Sequence, residues 1–329
     1  MQFHEIGKYI KEIQDGGKLA VITDENVAAM WLEACCMYLI NEGFTVRTVV
    51  LPAGENSKTG EVYLKILDYL ASIPLTRSDG IVALGGGMIG DLAGFCAATY
   101  LRGIKVIQVP TTLLAAVDSS IGGKTGIDLP AGKNLAGAFH QPALVVRDPR
   151  LLSTLPEDVF KDGMAEVIKT AVIADADLFE EVSDPELIEV GISDMIEKCA
   201  AIKTGFVEKD EFDNGVRKLL NFGHTIGHAI EKLSGYRVSH GRAVAMGMAR
   251  IAEISAAKGW CPEEDKDKLI GVLKAHGFDL GIQYSGDELF GVIAHDKKRS
   301  DDTIDLVIME RIGSCAVRRM TMDELKELL

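Results

Sequence analysis

The chain has 329 residues, 47% of them hydrophobic and 26% charged, with a net charge of -14 at neutral pH. That length exceeds one ordinary hydrophobic core and suits two domains, and the acidity argues against nucleic acid or an anionic membrane as the main partner. No segment has the length and apolarity of a membrane span, and residues 1–18 carry charges throughout with no secretory apolar stretch, so a cytoplasmic protein is expected.

In chain order, residues 18–23 form a short apolar run closed by Asp24-Glu25-Asn26 and read as a strand, followed by a helical pattern over 27–42. Residues 44–51 read as a second strand, 59–72 as a second helix and 80–84 as a third strand. Such alternation predicts a parallel sheet with helices on its faces, a Rossmann-like α/β domain. The third strand runs into Gly85-Gly86-Gly87-Met88-Ile89-Gly90-Asp91, in which Gly85, Gly87 and Gly90 have the GxGxxG spacing. Glycines between a strand and a helix let the backbone approach a pyrophosphate lying at the helix N-terminus. Alone the signal is weak: it is not on the first strand, no isolated acid lies at the ribose distance, and a structural turn explains the glycines equally well. A strand over 105–109 ends in Pro110-Thr111-Thr112, which puts two hydroxyls where open α/β sheets bind ligands.

Residues 118–126, from Asp118 through Lys124 to Gly126, are expected to form a loop rich in small residues that carries both an acid and a base. They lack the glycine spacing of a P-loop, which argues against an ATPase of that class. A second loop is expected at Ala131-Gly132-Lys133-Asn134. Singly these residues are turn chemistry; together they make a candidate binding loop. From Leu151 the pattern becomes mainly helical, which places the domain boundary near Arg150 and gives an α/β domain over 1–150 and a mainly α-helical domain over 151–329. Cys35, Cys36, Cys96, Cys199, Cys261 and Cys315 show no CxxC spacing and are expected to be reduced structural thiols.

His224, His228 and His240 are three of only seven histidines. If 217–228 is one α-helix, Arg217, Asn221, His224 and His228 fall at offsets of 0, 4, 7 and 11 along a single polar stripe. Leu219, Leu220, Phe222, Ile226 and Ile230 point elsewhere, so the stripe is expected to be buried, at a cost of several kcal/mol unless a ligand, metal or partner satisfies it. A lone pair of histidines at this spacing more often lies on a solvated face; Gly223 and Gly227, which allow close approach of a ligand or another backbone, favour the buried reading. Glu166 and Lys169 share a helix face, which in isolation suggests a surface ion pair. With His224 and His240, however, Glu166 completes two imidazoles and one carboxylate, a ligand set of catalytic zinc sites. Lys203, Arg217 and Lys297-Lys298 would supply charge for an anionic substrate.

The segments GGGMIGDLAGFCAATYLRG, VPTTLLAAVDSSIGGKTGIDLPAGKN, DGMAEVIKTAVI, LLNFGHTIGHAIE, HGRAVAMGM and DKK occur in the order and approximate spacing of 3-dehydroquinate synthases, and the resemblance runs from about Lys18 to the end. It implies a homodimer with an N-terminal NAD-binding domain and a C-terminal helical domain, the active site lying between them. By motif position Glu166, His224 and His240 match the ligands of one divalent metal, Zn2+ or Co2+. Asp118, Lys124, Asn134, Lys169, Lys203, Arg217, Asn221 and His228 match substrate-site residues, Arg102 the arginine that reaches a neighbouring subunit, and Lys297 and Lys298 a phosphate-binding pair. Asp24, Glu55, Lys58, Gly86, Gly87, Asp91, Thr111, Thr112, Lys133 and Thr154 match positions that hold the dinucleotide.

The implied substrate is a small anionic sugar phosphate, 3-deoxy-D-arabino-heptulosonate 7-phosphate. The implied reaction is transient oxidation at C5 by NAD+, elimination of phosphate, return of the hydride, ring opening and an intramolecular aldol closure to 3-dehydroquinate. Two alternatives retain the architecture: another sugar phosphate cyclase, whose substrate lacks the carboxylate that Lys203 and Arg217 would meet, and a metal-dependent alcohol or glycerol dehydrogenase, which would release free NADH. A metal-binding but inactive paralogue is a third. The chain departs from the pattern at Arg242, where a glutamate commonly follows His240-Gly241, so a carboxylate that orients His240 is expected to be missing. It also begins shortly before the first strand, so an initial strand or hairpin is expected to be absent and the cover of the sheet edge reduced.

Overall fold

Apolar runs in the first half pair into one five-stranded parallel sheet of order β2 (Thr45–Leu51), β1 (Lys18–Asp24), β3 (Gly80–Gly85), β4 (Lys105–Pro110) and β7 (Leu144–Val145). The computed structural model describes residues 1–14, 17–297 and 302–329. A helix, α1 (Ile6–Ile13), precedes β1 (Lys18–Asp24), so the described residues before the sheet form a helix rather than a strand. The next helical stretch runs from α2 (Glu25–Val27) through a π-helical turn at Ala28–Leu32 into α3 (Glu33–Asn41), and leads to β2 (Thr45–Leu51). Then follow α4 (Gly60–Ser72), β3 (Gly80–Gly85), α5 (Gly87–Thr99) and β4 (Lys105–Pro110).

Successive residues of each strand feed opposite cores. Ala20, Ile22, Ile81, Ala83 and Val106 pack with Ile66 and Leu70 of α4 and Ile89, Leu92 and Cys96 of α5. Leu19, Val21, Val82, Leu84, Ile107 and Val109 pack with Ile6 and Ile10 of α1 and Cys35 and Leu39 of α3. A sheet covered on both faces explains why these strands are apolar without alternation. β2 lies at one edge with Thr45, Arg47 and Thr48 exposed.

The sequence reading missed a hairpin, β5 (Lys124–Leu129) with β6 (Gly132–Phe139), which replaces both expected loops from Lys124 onward. Its glycines mask it, because glycine has low strand propensity. They are required here: a Cβ on Gly137 would overlap the Thr125 carbonyl oxygen, and one on Gly126 would lie 2.7 Å from the Ala136 oxygen. The short β7 (Leu144–Val145) completes the parallel sheet.

The remaining elements are α6 (Glu157–Ala174), α7 (Ala176–Val182), α8 (Ile188–Lys209), α9 (His224–Leu233), α10 (His240–Ala257), α11 (Glu263–Ala275) and α12 (Gly286–Lys297), then an antiparallel hairpin of β8 (Thr303–Arg311) and β9 (Ser314–Thr321), and α13 (Met322–Leu328). The chain divides into two compact units, Met1–Phe160 and Lys161–Leu329. Among the described residues no helix is long and apolar enough to cross a membrane.

Candidate metal and substrate site

The residues from Arg217 to His228 do not form one helix. Val216–Asn221 is a 3-10 turn, Gly223 takes φ 79°, and α9 starts afresh at His224. Only glycine fits the break, since a Cβ on Gly223 would lie 2.6 Å from Cγ of Met248 and 2.8 Å from the Val244 oxygen on α10. The expected continuous stripe is therefore split. Arg217 is buried at 2% exposure and His224 is largely buried, whereas Asn221 and His228 are exposed. Gly227 faces the α10 backbone, 3.0 Å from a Cβ position to the Ala243 oxygen, so the two glycines serve the approach of another backbone.

That close packing of α9 on α10 brings His224 and His240 together, with ring centroids 5.3 Å apart. Glu166, on the fully buried middle of α6, completes the group. Its Oε2 accepts a hydrogen bond from Lys169 Nζ, one turn on and equally buried, so the pair is internal rather than on the surface. Its Oε1 lies 3.3 Å from Nε2 of His240 and 3.6 Å from Nε2 of His224, buried without a hydrogen-bond partner among the described residues. One oxygen and two imidazole nitrogens thus converge with donor atoms within 4.8 Å of one another. A divalent cation fits that donor set, which leaves a further coordination position to a substrate oxygen.

The electrostatics agree. Burial disfavours charge on Glu166, but Lys169, His224 and His240 outweigh it and hold the carboxyl well below the usual range. Burial is the largest influence on His224, which falls to about 3, so the ring is neutral and available as a ligand. Its Nδ1 lies 3.2 Å from the Phe222 carbonyl, which places the ring proton there and the lone pair on Nε2. Burial also opposes charge on His240, yet contacts with Glu166 and Glu231 raise it to about 10.

Glu231 was not among the residues singled out by sequence. Its Oε2 lies 3.2 Å from Nδ1 of His240, so an acid does flank this ring although position 242 is arginine. Arg242 instead pairs with Asp279 at 3.2 Å. The expectation of a missing carboxylate is thereby corrected. The signal was present, because Glu231 lies seven residues after His224 and returns to the same helix face.

Lys203 is buried on α8, which packs against the 3-10 turn carrying Arg217. The Asp210 carboxylate braces that turn, accepting from the backbone N–H of Gly215 at 2.7 Å and of Arg217 at 3.0 Å. α12, which ends at Lys297, packs against α9, while Lys298 lies outside the described residues.

In the first unit Gly86 caps α5 without a side-chain hydrogen bond, and Gly87 opens the helix ahead of Met88 and Ile89. Thr111 Oγ1 is buried without a hydrogen-bond partner among the described residues, whereas Thr112 Oγ1 accepts from the Ala115 amide at 3.2 Å. Lys58 is buried and donates to Asp91 at 2.6 Å and to Asn134 at 2.5 Å, with Glu55 at 3.7 Å. Burial opposes its charge, but Asp91 and Glu55 outweigh this and raise its pKa. Asn134, on β6 next to Lys133, thus stands with the residues matched to the dinucleotide. Asp24 caps α2, accepting from Asn26 and Val27, and Thr154 accepts from the Trp31 indole at 3.1 Å. Asp118 lies partly buried in a π-helical turn at Ala115–Ser119, Lys124 is exposed at the start of β5, and Arg102 is exposed with φ 66°.

Residues 48–162 match the family model described as 3-dehydroquinate synthase N-terminal, and residues 163–299 the one described as 3-dehydroquinate synthase C-terminal. The chain is 42% identical to the 3-dehydroquinate synthase of Streptococcus gordonii, over 99% of this chain and 93% of that one. The chain belongs to the 3-dehydroquinate synthase family. The same-named protein of Enterococcus faecalis is 41% identical over 99% of this chain and 92% of that one. Among solved structures, 2-deoxy-scyllo-inosose synthase in complex with carbaglucose-6-phosphate, NAD+ and Co2+ superposes with a TM-score of 0.85 at 27% identity, covering 98% of this chain and 93% of that one.

Proposed function

We propose that this member of the family converts 3-deoxy-D-arabino-heptulosonate 7-phosphate to 3-dehydroquinate and phosphate. The observation that carries the reading is the buried Oε1 of Glu166, without a hydrogen-bond partner among the described residues and facing two imidazole nitrogens, beside a buried lysine that occupies the other carboxylate oxygen. The alcohol-to-ketone chemistry at C5 would come from bound NAD+, and polarisation of the C5 oxygen from a divalent ion. Glu166, His224 and His240 would hold that ion. Lys169 keeps Glu166 ionised and fixes it, so that one oxygen remains for the metal.

Arg217 and Lys203, both buried cations, suit the substrate carboxylate, the guanidinium matching it in bidentate fashion. This pair favours a carboxylate-bearing substrate over those of the other cyclases. Lys124, Asn221, His228 and either Lys297 or Lys298, together with Arg102 from a second copy, would surround the phosphate, and Asp118 would complete the substrate site. Oxidation at C5 makes the C6 proton acidic, and the substrate phosphate can accept it, so these residues need only position and desolvate. The dinucleotide would lie mainly on the domain of residues 1–150, against Gly86, Gly87, Thr111, Thr112 and Lys133, with Asp24, Glu55, Lys58 and Asp91 of that domain and Thr154 around it, and the ion on Glu166, His224 and His240 of residues 151–329. A homodimer in the cytoplasm completes the reading.

The test supplies the heptulosonate phosphate, NAD+ and Zn2+ or Co2+, and follows phosphate release and NADH absorbance together. Phosphate release without NADH accumulation is expected. Stoichiometric NADH would indicate a dehydrogenase, and no turnover with any metal would sink the proposal.

A further inference from the structure

One imidazole, His240, spans two carboxylates: Glu166 Oε1 lies 3.3 Å from Nε2, and Glu231 Oε2 lies 3.2 Å from Nδ1. Glu231 is buried on α9, and the first turn of α10 that carries His240 is pinned separately, through Asp162 Oδ1 accepting from Ser239 Oγ at 2.6 Å and from Arg242 N at 3.2 Å. A neutral imidazole carries one proton, so the nitrogen that donates it is not the one that ligates. An acceptor at Nδ1 therefore leaves the Nε2 lone pair for a cation and restrains the ring plane.

We infer that Glu231 is a positioning residue for the metal ligand His240, accepting its Nδ1–H so that Nε2 is presented to the divalent ion. This rests on the reading that Glu166, His224 and His240 bind that ion. In this chain Arg242 is engaged with Asp279, and a guanidinium cannot accept the Nδ1 proton; α9 supplies the acid through Glu231. The competing assignment makes Glu231 itself a ligand, because His228, Glu231 and His240 form a second group with donor atoms within 4.8 Å.

The experiment titrates the metal-stripped full chain and its variants with Co2+, following visible absorption and chelator competition, with NAD+ affinity measured alongside. Glu231→Ala is expected to weaken Co2+ binding about 10–100-fold and to change the absorption spectrum, with NAD+ affinity kept within about twofold. Glu231→Gln, whose amide oxygen still accepts the Nδ1 proton, is expected to recover most of the affinity. Co2+ binding by Glu231→Ala within about twofold of the parent would overturn the inference. So would a parent that binds two equivalents of Co2+ and a Glu231→Ala variant that binds one. If Glu231→Ala does not fold, nitrogen NMR of the Zn2+-loaded parent decides: a proton on Nδ1 of His240 and metal on Nε2 is expected, and metal on Nδ1 overturns it. Glu166→Ala is the control for the underlying reading: undiminished Co2+ binding there would refute the ligand set itself rather than the role of Glu231.

Discussion

Replacing Gly247 by alanine sets two effects of opposite sign against each other. Gly247 is within α10, where alanine would stabilise an otherwise unobstructed helix by roughly 0.5–1 kcal/mol. Its Cβ, however, would overlap the Gly223 carbonyl oxygen and lie 2.9 Å from the Gly223 carbonyl carbon and 3.0 Å from the Gly227 nitrogen. Carbon atoms settle at about 3.5 Å or more, so α9 and α10 must separate by roughly 0.6 Å at that carbon and further at the oxygen. The obstacles are backbone and cannot rotate away, which puts the overpacking cost in the upper part of the usual range of about 1–3 kcal/mol. The net expectation is a loss of about 1–2 kcal/mol, or roughly 2–8 °C in Tm for a unit of this size. Because His224 follows Gly223 and His240 opens α10, Co2+ affinity should fall with it. Gly271→Ala on α11 is the control, since a Cβ there meets nothing within 4 Å, and it should stabilise. Urea and thermal unfolding of both variants, with Co2+ titration, check the prediction. A Gly247→Ala protein as stable as the parent would refute the argument that backbone contact overrides helix propensity.

Four further outcomes follow. Metal-free His240 holds a proton up to about pH 10, so ion binding at neutral pH should release about one proton and affinity should climb with pH up to that value; calorimetry in buffers of different ionisation enthalpy reads this. By the same linkage, the stability that His240 gives the metal-free chain is complete below its unfolded pKa of about 6.5 and is lost as pH rises through about 10, which urea melts across that range measure. Arg217→Ala should lower activity on the carboxylate-bearing substrate about 100-fold, the worth of one bidentate charged contact of about 3 kcal/mol, while NAD+ affinity holds; equal losses in both would count against its carboxylate role. Lys58→Ala removes the buried ammonium between Asp91 and Asn134 and should cost about 1–3 kcal/mol, the partner Asp91 being partly solvated. It should weaken NAD+ but not Co2+ binding, and a matching loss of both would argue against separate cofactor and metal units.

Periodicity and residue chemistry sufficed for the parallel sheet, because a strand buried on both faces leaves a continuous apolar run and a helix on each side leaves its own repeat. They also sufficed to nominate Glu166, His224 and His240, since histidine is scarce in the chain and the motifs are ordered. Beyond that, tertiary structure decided. The β5–β6 hairpin is concealed by the very glycines that let its backbones approach. Whether Lys169 and Glu166 form a surface or an internal pair depends on what covers α6. The single helix expected over Arg217–His228 breaks because α10 packs where a side chain on residue 223 would be, a contact between segments more than twenty residues apart. For the same reason the acid flanking His240 could not be found by looking next to it in sequence: Glu231 reaches it across the α9–α10 interface, and only packing brings the two together.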